Sequence, residues 1–372
     1  MNDLGGVSAQ ATLSPSSKQP GASDLLITMT QKHLGASLGF NNRGSRFLGP
    51  WRGELSADAF SIFGLNEHTG LRYITTGPNL ELNFVSLSHN QHLGSEGLML
   101  DFSFVAVESN PDLVGSSINL DTHSRSGSIG LSYPLIRSRE QNLNIRGNLT
   151  YFDSKSIGDN TLISKDHIRA IRFGSTYSNS DDWLGNSQVD LEVSQGLDIL
   201  NPRESGSPNL SRAGGRSDFT KFTFYTARLQ ALAPKWSIYG AFSGQYALDA
   251  LLAPEQFAFG GPQFGRAYDA AEIVGDSGVA LNIELRFTDT VPESWLKNYE
   301  FYGFYDVGKG WSRKTAAIKA HDESAMSAGL GVRLNFNRWF SGYVEVDKPL
   351  TRNVAAKNND DPRVFGGIFI TY

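Results

Sequence analysis

Apolar residues recur at every second position through most of this chain, and that period of two restricts its fold more than any other feature. In residues 279–287, Val279, Leu281, Ile283, Leu285 and Phe287 alternate with Ala280, Asn282, Glu284 and Arg286. Successive side chains of a strand point to opposite faces, so this segment has one apolar and one polar face. The same pattern runs through Leu34, Ala36, Leu38 and Phe40, through Leu55, Ala57 and Ala59, and through Leu80, Leu82 and Phe84. It continues in Leu98, Leu100, Phe102 and Phe104, in Leu143, Ile145, Leu149 and Tyr151, and in Val189, Leu191 and Val193. Towards the end, Met326, Ala328, Leu330, Val332, Leu334 and Phe336 oppose a set that includes Arg333. Phe340, Gly342, Val344 and Val346 oppose a set that includes Glu345, and Ile368, Ile370 and Tyr372 share the last face.

A soluble sandwich or barrel gathers its apolar faces around one core. Here every strand carries an apolar face while the opposite faces carry charge. The reading is therefore all-β, a transmembrane antiparallel β-barrel over 31–372 whose apolar faces meet lipid. About sixteen strands are expected, with roughly 21 residues per strand and connection, which accommodates membrane strands of about 9–11 residues. Short turns are expected near 64–68, 93–97, 137–140, 234–235 and 337–338. Long polar loops are expected near 108–121, 153–166, 200–217, 313–324 and 350–361, a short-side, long-side division usual in such barrels. A propeller predicts a repeat of about 40–50 residues, and the sequence has none.

Composition narrows the function. A net charge of -5 lacks the basic face a nucleic-acid protein needs, so no nucleic-acid partner is expected. No run approaches the roughly 18 apolar residues of a membrane helix. With no cysteine, disulfides and thiolate metal sites are excluded. The first residues, Met1-Asn-Asp-Leu-Gly5, show no basic and apolar leader, so an exported form implies a trimmed chain. Residues 1–30 differ from the rest: alternating segments 7–13 and 24–29 flank a turn-rich stretch, and a hairpin alone is marginal in water. They read as the last hairpin of a small upstream domain.

Catalytic and cofactor signatures are weak. His89 and His92 lie three apart without a supporting carboxylate, so no metal is expected. Gly308-Lys309-Gly310 lacks the spacing of a phosphate loop, and no G-x-S-x-G elbow occurs. No cofactor and no enzyme activity are expected. The notable polar feature is the glycine-rich stretch 260–269, with Gly265, Arg266, Ala267, Tyr268 and Asp269, inside a long connection over 249–278. Alternation in 299–311 puts Phe301, Tyr305 and Val307 on the lipid side and Phe304, Asp306 and Gly308 in the lumen. Glu284, Arg286, Arg333 and Glu345 are lumen-facing by the same rule. An inward-folded loop would bring Arg266 to Asp306. Periodicity alone is equally compatible with a solvated arginine and an unrelated lumen carboxylate.

The stretch 260–269 with the strand after it resembles the Omp85 superfamily, and most closely its two-partner secretion transporters, the ShlB/FhaC/HecB haemolysin secretion/activation family. The family's V-R-G-[YF] loop tip corresponds to Gly265-Arg266-Ala267-Tyr268, which keeps the arginine and the aromatic. Its strand motif with an acidic partner corresponds to Phe304, Asp306 and Gly308. Residues 346–350 and the terminal aromatic after Ile368 and Ile370, Tyr372, are similar as well. The resemblance implies a 16-stranded barrel in the Gram-negative outer membrane, with the lumenal loop between strands 11 and 12 and an Arg266–Asp306 pair. It implies that 1–30 is the tail of a periplasmic POTRA domain, that the N-terminus is periplasmic and that the loops are extracellular.

The implied function is export of a large β-helical exoprotein of haemolysin or adhesin type without ATP. Implied surroundings are outer-membrane lipid and lipopolysaccharide, the barrel-assembly machinery during biogenesis, and a monomeric pore. An Omp85 factor that inserts other barrels, and a diffusion porin, are the alternatives.

Overall fold

Strands that carry their apolar side chains on one face close into a sheet without edges, that face turned outward. The computed structural model describes residues 5–16, 19, 22–77, 81–112, 119–292 and 295–372. A hairpin of β1 (Val7–Pro15) and β2 (Ser23–Gln31) comes first. The wall then begins with β3 (Leu34–Asn41), β4 (Arg52–Phe60), β5 (His68–Thr76), β6 (Leu82–Leu93) and β7 (Leu98–Ser109). Three tall strands follow, β8 (Leu120–Arg137), β9 (Gln141–Gly158) and β10 (Thr161–Ser180), and then β11 (Gly185–Gly196), β12 (Thr220–Ala233) and β13 (Trp236–Ala247). Two short strands, β14 (Phe257–Phe259) and β15 (Ile273–Gly275), pair only with each other inside a connection. The wall finishes with β16 (Ser277–Thr290), β17 (Asn298–Ser312), β18 (His321–Asn335), β19 (Phe340–Pro349) and β20 (Arg363–Thr371).

Sixteen strands, β3–β13 and β16–β20, form one closed antiparallel barrel, with β13 next to β16 and β20 returning to β3. That last contact is short: five residue pairs join β20 to β3, against eight on either side of it. Alternation sorts the two faces as expected. Leu38, Phe40, Leu55, Ile283, Leu285, Phe301, Leu330, Val344, Ile368 and Ile370 are exposed outward, while Asn282, Glu284, Asp306, Ser327, Glu345 and Asp347 are buried inside. Aromatic pairs mark the short-turn end: Trp236 on Phe287, Trp295 on Phe336 and Trp339 on Tyr372. Amphipathic rings of this kind settle at the membrane–water boundary.

Three expectations need correction. The stretch 153–166 is not a long loop. It is the top of β9 and β10, joined by a two-residue turn at Asp159 and Asn160, both with positive φ (46° and 64°). Such turns match the twist of paired strands, and above the membrane neither face must be apolar, so the alternation fades while pairing continues. On β6 the outer set is Val85 and Leu87, whereas Phe84 lies opposite inward-facing, buried Ile74. Both registers of that strand offer apolar residues, and pairing with β7 decides between them; Leu80 lies outside the described residues. Finally, Ser277 and Gly278 already belong to β16, so the connection after β13 spans 248–276.

Candidate functional site

That connection folds back between the walls instead of standing outside them. Its β14–β15 hairpin brings Phe257, Phe259 and Ile273 together with Tyr268 and, from the wall, Ala280 and Ala325, as one buried apolar cluster that also includes Val354. Two glycines make this packing possible. At Gly308 an added Cβ would stand 2.1 Å from the Phe259 ring, so β17 needs glycine where the loop lies against it. Gly265 has φ +77 and would meet the same ring at 2.6 Å, so the loop tip turns through a conformation that other residues resist.

The tip places Arg266 in the lumen at 5% exposure, against Glu284 at 2% and Asp306 at 0%. Arg266 Nη1 donates to Glu284 Oε2 at 2.6 Å. Arg266 Nε comes within 3.4 Å of Asp306 Oδ2, an ion-pair distance with no hydrogen bond, and Nη1 within 3.6 Å of Glu345. The guanidinium lies 3.6 Å from the ring centroid of Phe304, a cation–π contact that supplies an apolar floor. Asp306 chiefly grips the backbone: its Oδ2 accepts the N–H groups of Gly265 (3.1 Å) and Arg266 (2.9 Å), and its Oδ1 accepts from Asn282. The expected Arg266–Asp306 pair is present, but the closer partner of Arg266 is Glu284.

Glu284 is shared. Arg286 Nε reaches it at 2.7 Å and Arg333 Nη1 at 2.8 Å, and Arg333 also bonds Glu300. Glu345 accepts from Tyr302 at 2.7 Å and from Arg43, whose Nη1 also donates to the Arg266 carbonyl at 3.0 Å. The remaining tip residues are held in turn. The Ala267 carbonyl accepts from Arg363 at 2.8 Å, Asp269 pairs with Arg363 at 2.6 Å, and Tyr268 OH donates to the Met326 carbonyl at 3.0 Å. All the expected lumen residues therefore meet at one place, while Ile368, Ile370 and Tyr372 lie outside on the wall. A polar cavity of ≈ 530 Å³ beside Arg266 is bounded by Arg43, Arg72, Glu54 and Arg333.

Sequence reasoning missed three contributors. Arg43 comes from the 42–51 connection, which no pattern marked. Arg363 faces inward by simple alternation, as Asp347 does beside Glu345, and could have been found that way. The third is Glu255, in a short 3-10 turn, Ala253–Glu255, that begins the loop. It lies against the stretch of wall before β13, where Arg172 on β10 (2.6 Å) and Lys221 on β12 (2.7 Å) pair with it. Lys221 and Gln245 also donate to the Glu255 carbonyl, each at 3.0 Å. At the loop's far end, Asp276 accepts from Leu251 N–H (2.7 Å), Arg313 N–H (2.6 Å) and the Arg212 side chain. No group of three or more metal-ligating side chains occurs among the described residues.

A buried arginine tip inside a sixteen-stranded barrel invites comparison with known proteins. Residues 21–334 match the family described as haemolysin secretion/activation protein ShlB/FhaC/HecB. The chain belongs to this family. It is similar to the haem/hemopexin transporter protein HuxB of Haemophilus influenzae, 22% identical over 95% of this chain and 63% of the relative. The chain thus spans about five-eighths of the curated relative's length. Among solved structures, CdiB from Escherichia coli superposes with a TM-score of 0.81 at 16% identity, covering 100% of this chain and 69% of that one. CdiB from Acinetobacter baumannii gives 0.74 at 17%, covering 98% and 65%. BamA from Haemophilus ducreyi lacking POTRA domains 1–3 gives 0.61 at 13%, covering 98% and 75%. At these identities the structures speak to the fold alone, a closed antiparallel barrel.

Proposed function

We propose that this barrel is the outer-membrane translocation pore of a two-partner secretion system, passing one large secreted protein outward without ATP. The observation that carries the reading is the 248–276 loop, seated in the lumen of a family-matched barrel and fastened to the wall by Arg266. The charged groups around the tip are taken up in holding the loop, and the work this arrangement fits is to open and close. The loop is the plug, Arg266 with Glu284 and Asp306 its lock, and the polar walls give an unfolded chain a path of low affinity. The partner's folding outside supplies direction.

In this reading the short turns and N-terminus face the periplasm and the long connections the exterior, with the pore a monomer in lipid and lipopolysaccharide, inserted by the barrel-assembly machinery. The β1–β2 hairpin supports the assignment of 1–30 to the end of a POTRA domain: Leu13, Leu25, Leu26 and Met29 are all exposed, so its apolar side chains lack a core of their own. The partner is of the large β-helical exoprotein type.

The deciding experiment expresses the full-length protein with its secreted partner in cells and follows the partner in the medium. Arg266→Ala is expected to lower secretion and to change single-channel conductance. Normal secretion together with wild-type conductance would sink the lock. Unchanged export accompanied by a loss of other barrels from the outer membrane would instead assign the chain to barrel assembly.

A further inference from the structure

The outer wall carries a feature unrelated to the lumen. Between β10 and β17 lies a concavity of ≈ 980 Å³, lined by Phe173, Leu191, Phe222, Tyr246, Val279 and Trp311. All of these are on the lipid-facing register: Phe222 pairs with Tyr246, and Ser277, two before Val279, pairs with Trp311. Gly244 leaves the floor open. A Cβ there would meet only the Phe242 ring, at 3.3 and 3.6 Å, and one carbonyl at 4.0 Å. Six neighbouring strands contribute, which at the usual strand spacing is about 24 Å of wall, wider than a single acyl chain.

The concavity lies against the loop end of the barrel and continues there into a second pocket of ≈ 680 Å³ that shares Ser312 and Arg313 with it and adds Arg216 and Lys314. Charge at this rim is unbalanced. Asp218 and Asp249 are taken by Arg216, and Asp322 by Lys309. Among the described residues, the Arg313 guanidinium meets only the Ala247 carbonyl and the Tyr246 ring, and Lys314 has no ion pair. The outward Lys309–Asp322 pair (2.8 Å), with the Trp311 indole beside Lys309, marks the headgroup level, because such groups settle at the membrane boundary. Val279 is level with Lys309 and Trp311 with Asp322, so the apolar groove lies at the membrane boundary, with the cations of Arg313 and Lys314 next to it on the loop side.

We propose that this face is a specific binding site for one phosphorylated, multiply acylated glycolipid of lipid A type, its acyl chains in the Phe222–Tyr246–Trp311 groove and its phosphate at Arg313 and Lys314. The outer-leaflet source rests on the orientation given above; the site itself does not depend on export.

The test uses the purified chain, reconstituted in bilayer discs of phosphatidylcholine alone, with added phosphatidylglycerol, or with added bisphosphorylated, six-chain lipid A. Lipids retained per barrel are counted by native mass spectrometry, and barrel closure is checked by the migration shift on heating. Expected is one retained lipid A per barrel, at least tenfold above either phospholipid. Lys314→Glu and Gly244→Leu are each expected to cut that retention about tenfold while leaving the barrel closed. If Gly244→Leu does not close, Lys314→Glu, on an exposed connection, decides alone. Undiminished retention in Lys314→Glu would mean ordinary surrounding lipid and overturn the site. So would equal retention of phosphatidylcholine or of phosphatidylglycerol.

Discussion

The start and the tip of the lumenal loop are tied to different stretches of the wall, β10–β12 and β16–β19, with opposite charge. At the tip the loop offers one cation, Arg266, to wall carboxylates Glu284, Asp306 and Glu345. Where it leaves β13 it offers an anion, Glu255, to wall cations Arg172 and Lys221. A loop that swung to the wrong wall, or docked end for end, would bring like charges together. This inversion selects one seating out of the many that apolar packing around Phe259 alone would tolerate. The ends also differ in redundancy. Glu255 is the single carboxylate of its cluster's loop side, whereas Glu284 serves three guanidinium groups at once.

Removing the shared anion should therefore cost more than removing the loop's own cation. Glu284→Ala leaves Arg266, Arg286 and Arg333 facing one another, and loss of one member of a buried charge set costs about 3–5 kcal/mol. Its unfolding midpoint in denaturant should fall below that of Arg266→Ala; the reverse order would show that the tip, not the wall, organises the cluster. A smaller loss, about 1–3 kcal/mol, is expected from Glu255→Gln, which keeps the shape but leaves Arg172 and Lys221 without their loop carboxylate. Amide exchange should rise across 248–256 and stay slow at 264–268. Equal loosening of both would mean that the two ends release together.

Gly308→Ala probes the contact between them. Its methyl must displace the Phe259 ring, costing about 1–3 kcal/mol, and Phe259→Leu in the same chain should return part of that. If the double variant is as unstable as the two losses added, ring and strand are not in the contact described.

The smallest effect expected is one of pH. Glu272, on the loop outside the wall, is held above the usual carboxylate range, first by burial and further by Asp269 nearby, although Ala355 N–H and Arg352 pull it down. Its Oε1 accepts that N–H at 2.8 Å, tying the lumenal loop to the 350–362 connection. A raised value means that the folded form binds the proton more tightly than the unfolded chain. The contribution is full below the unfolded carboxylate value and fades as pH rises through the raised one. The denaturant midpoint of the native chain should fall slightly over that window, and that fall should be absent in Glu272→Gln.

Legibility in the sequence followed the solvent. Where a strand has lipid on one side and water on the other, alternation named the face correctly, as for Ile283 against Glu284 or Tyr305 against Asp306. Once a strand rises above the membrane that constraint ends, which is why Lys155 and Ser156 read as loop. The lumen site was readable as a set of inward residues, but alternation gives a face and not a depth. The register pairs Asn282 with Asp306 and Glu284 with Phe304, so Asp306 lies level with the loop backbone and Glu284 one step further along, within reach of the guanidinium. Glu255 has no periodic context, and only the folded loop brings it to Lys221.

The tall strands have a consequence for the rim of the barrel. β10 rises from Arg169 to Thr161 beyond its pairing with β11, and a bare strand edge is a template on which another chain can add. Here it is occupied: Leu197 N–H donates to the Arg169 carbonyl, Arg203 N–H to that of His167, and Lys165 N–H to that of Asn209, while Asp166 holds Ser211 N–H. The 197–219 connection thus serves as a sheath over that edge. Another chain arriving on this side of the rim finds these hydrogen-bonding groups already taken and has no bare edge to add to.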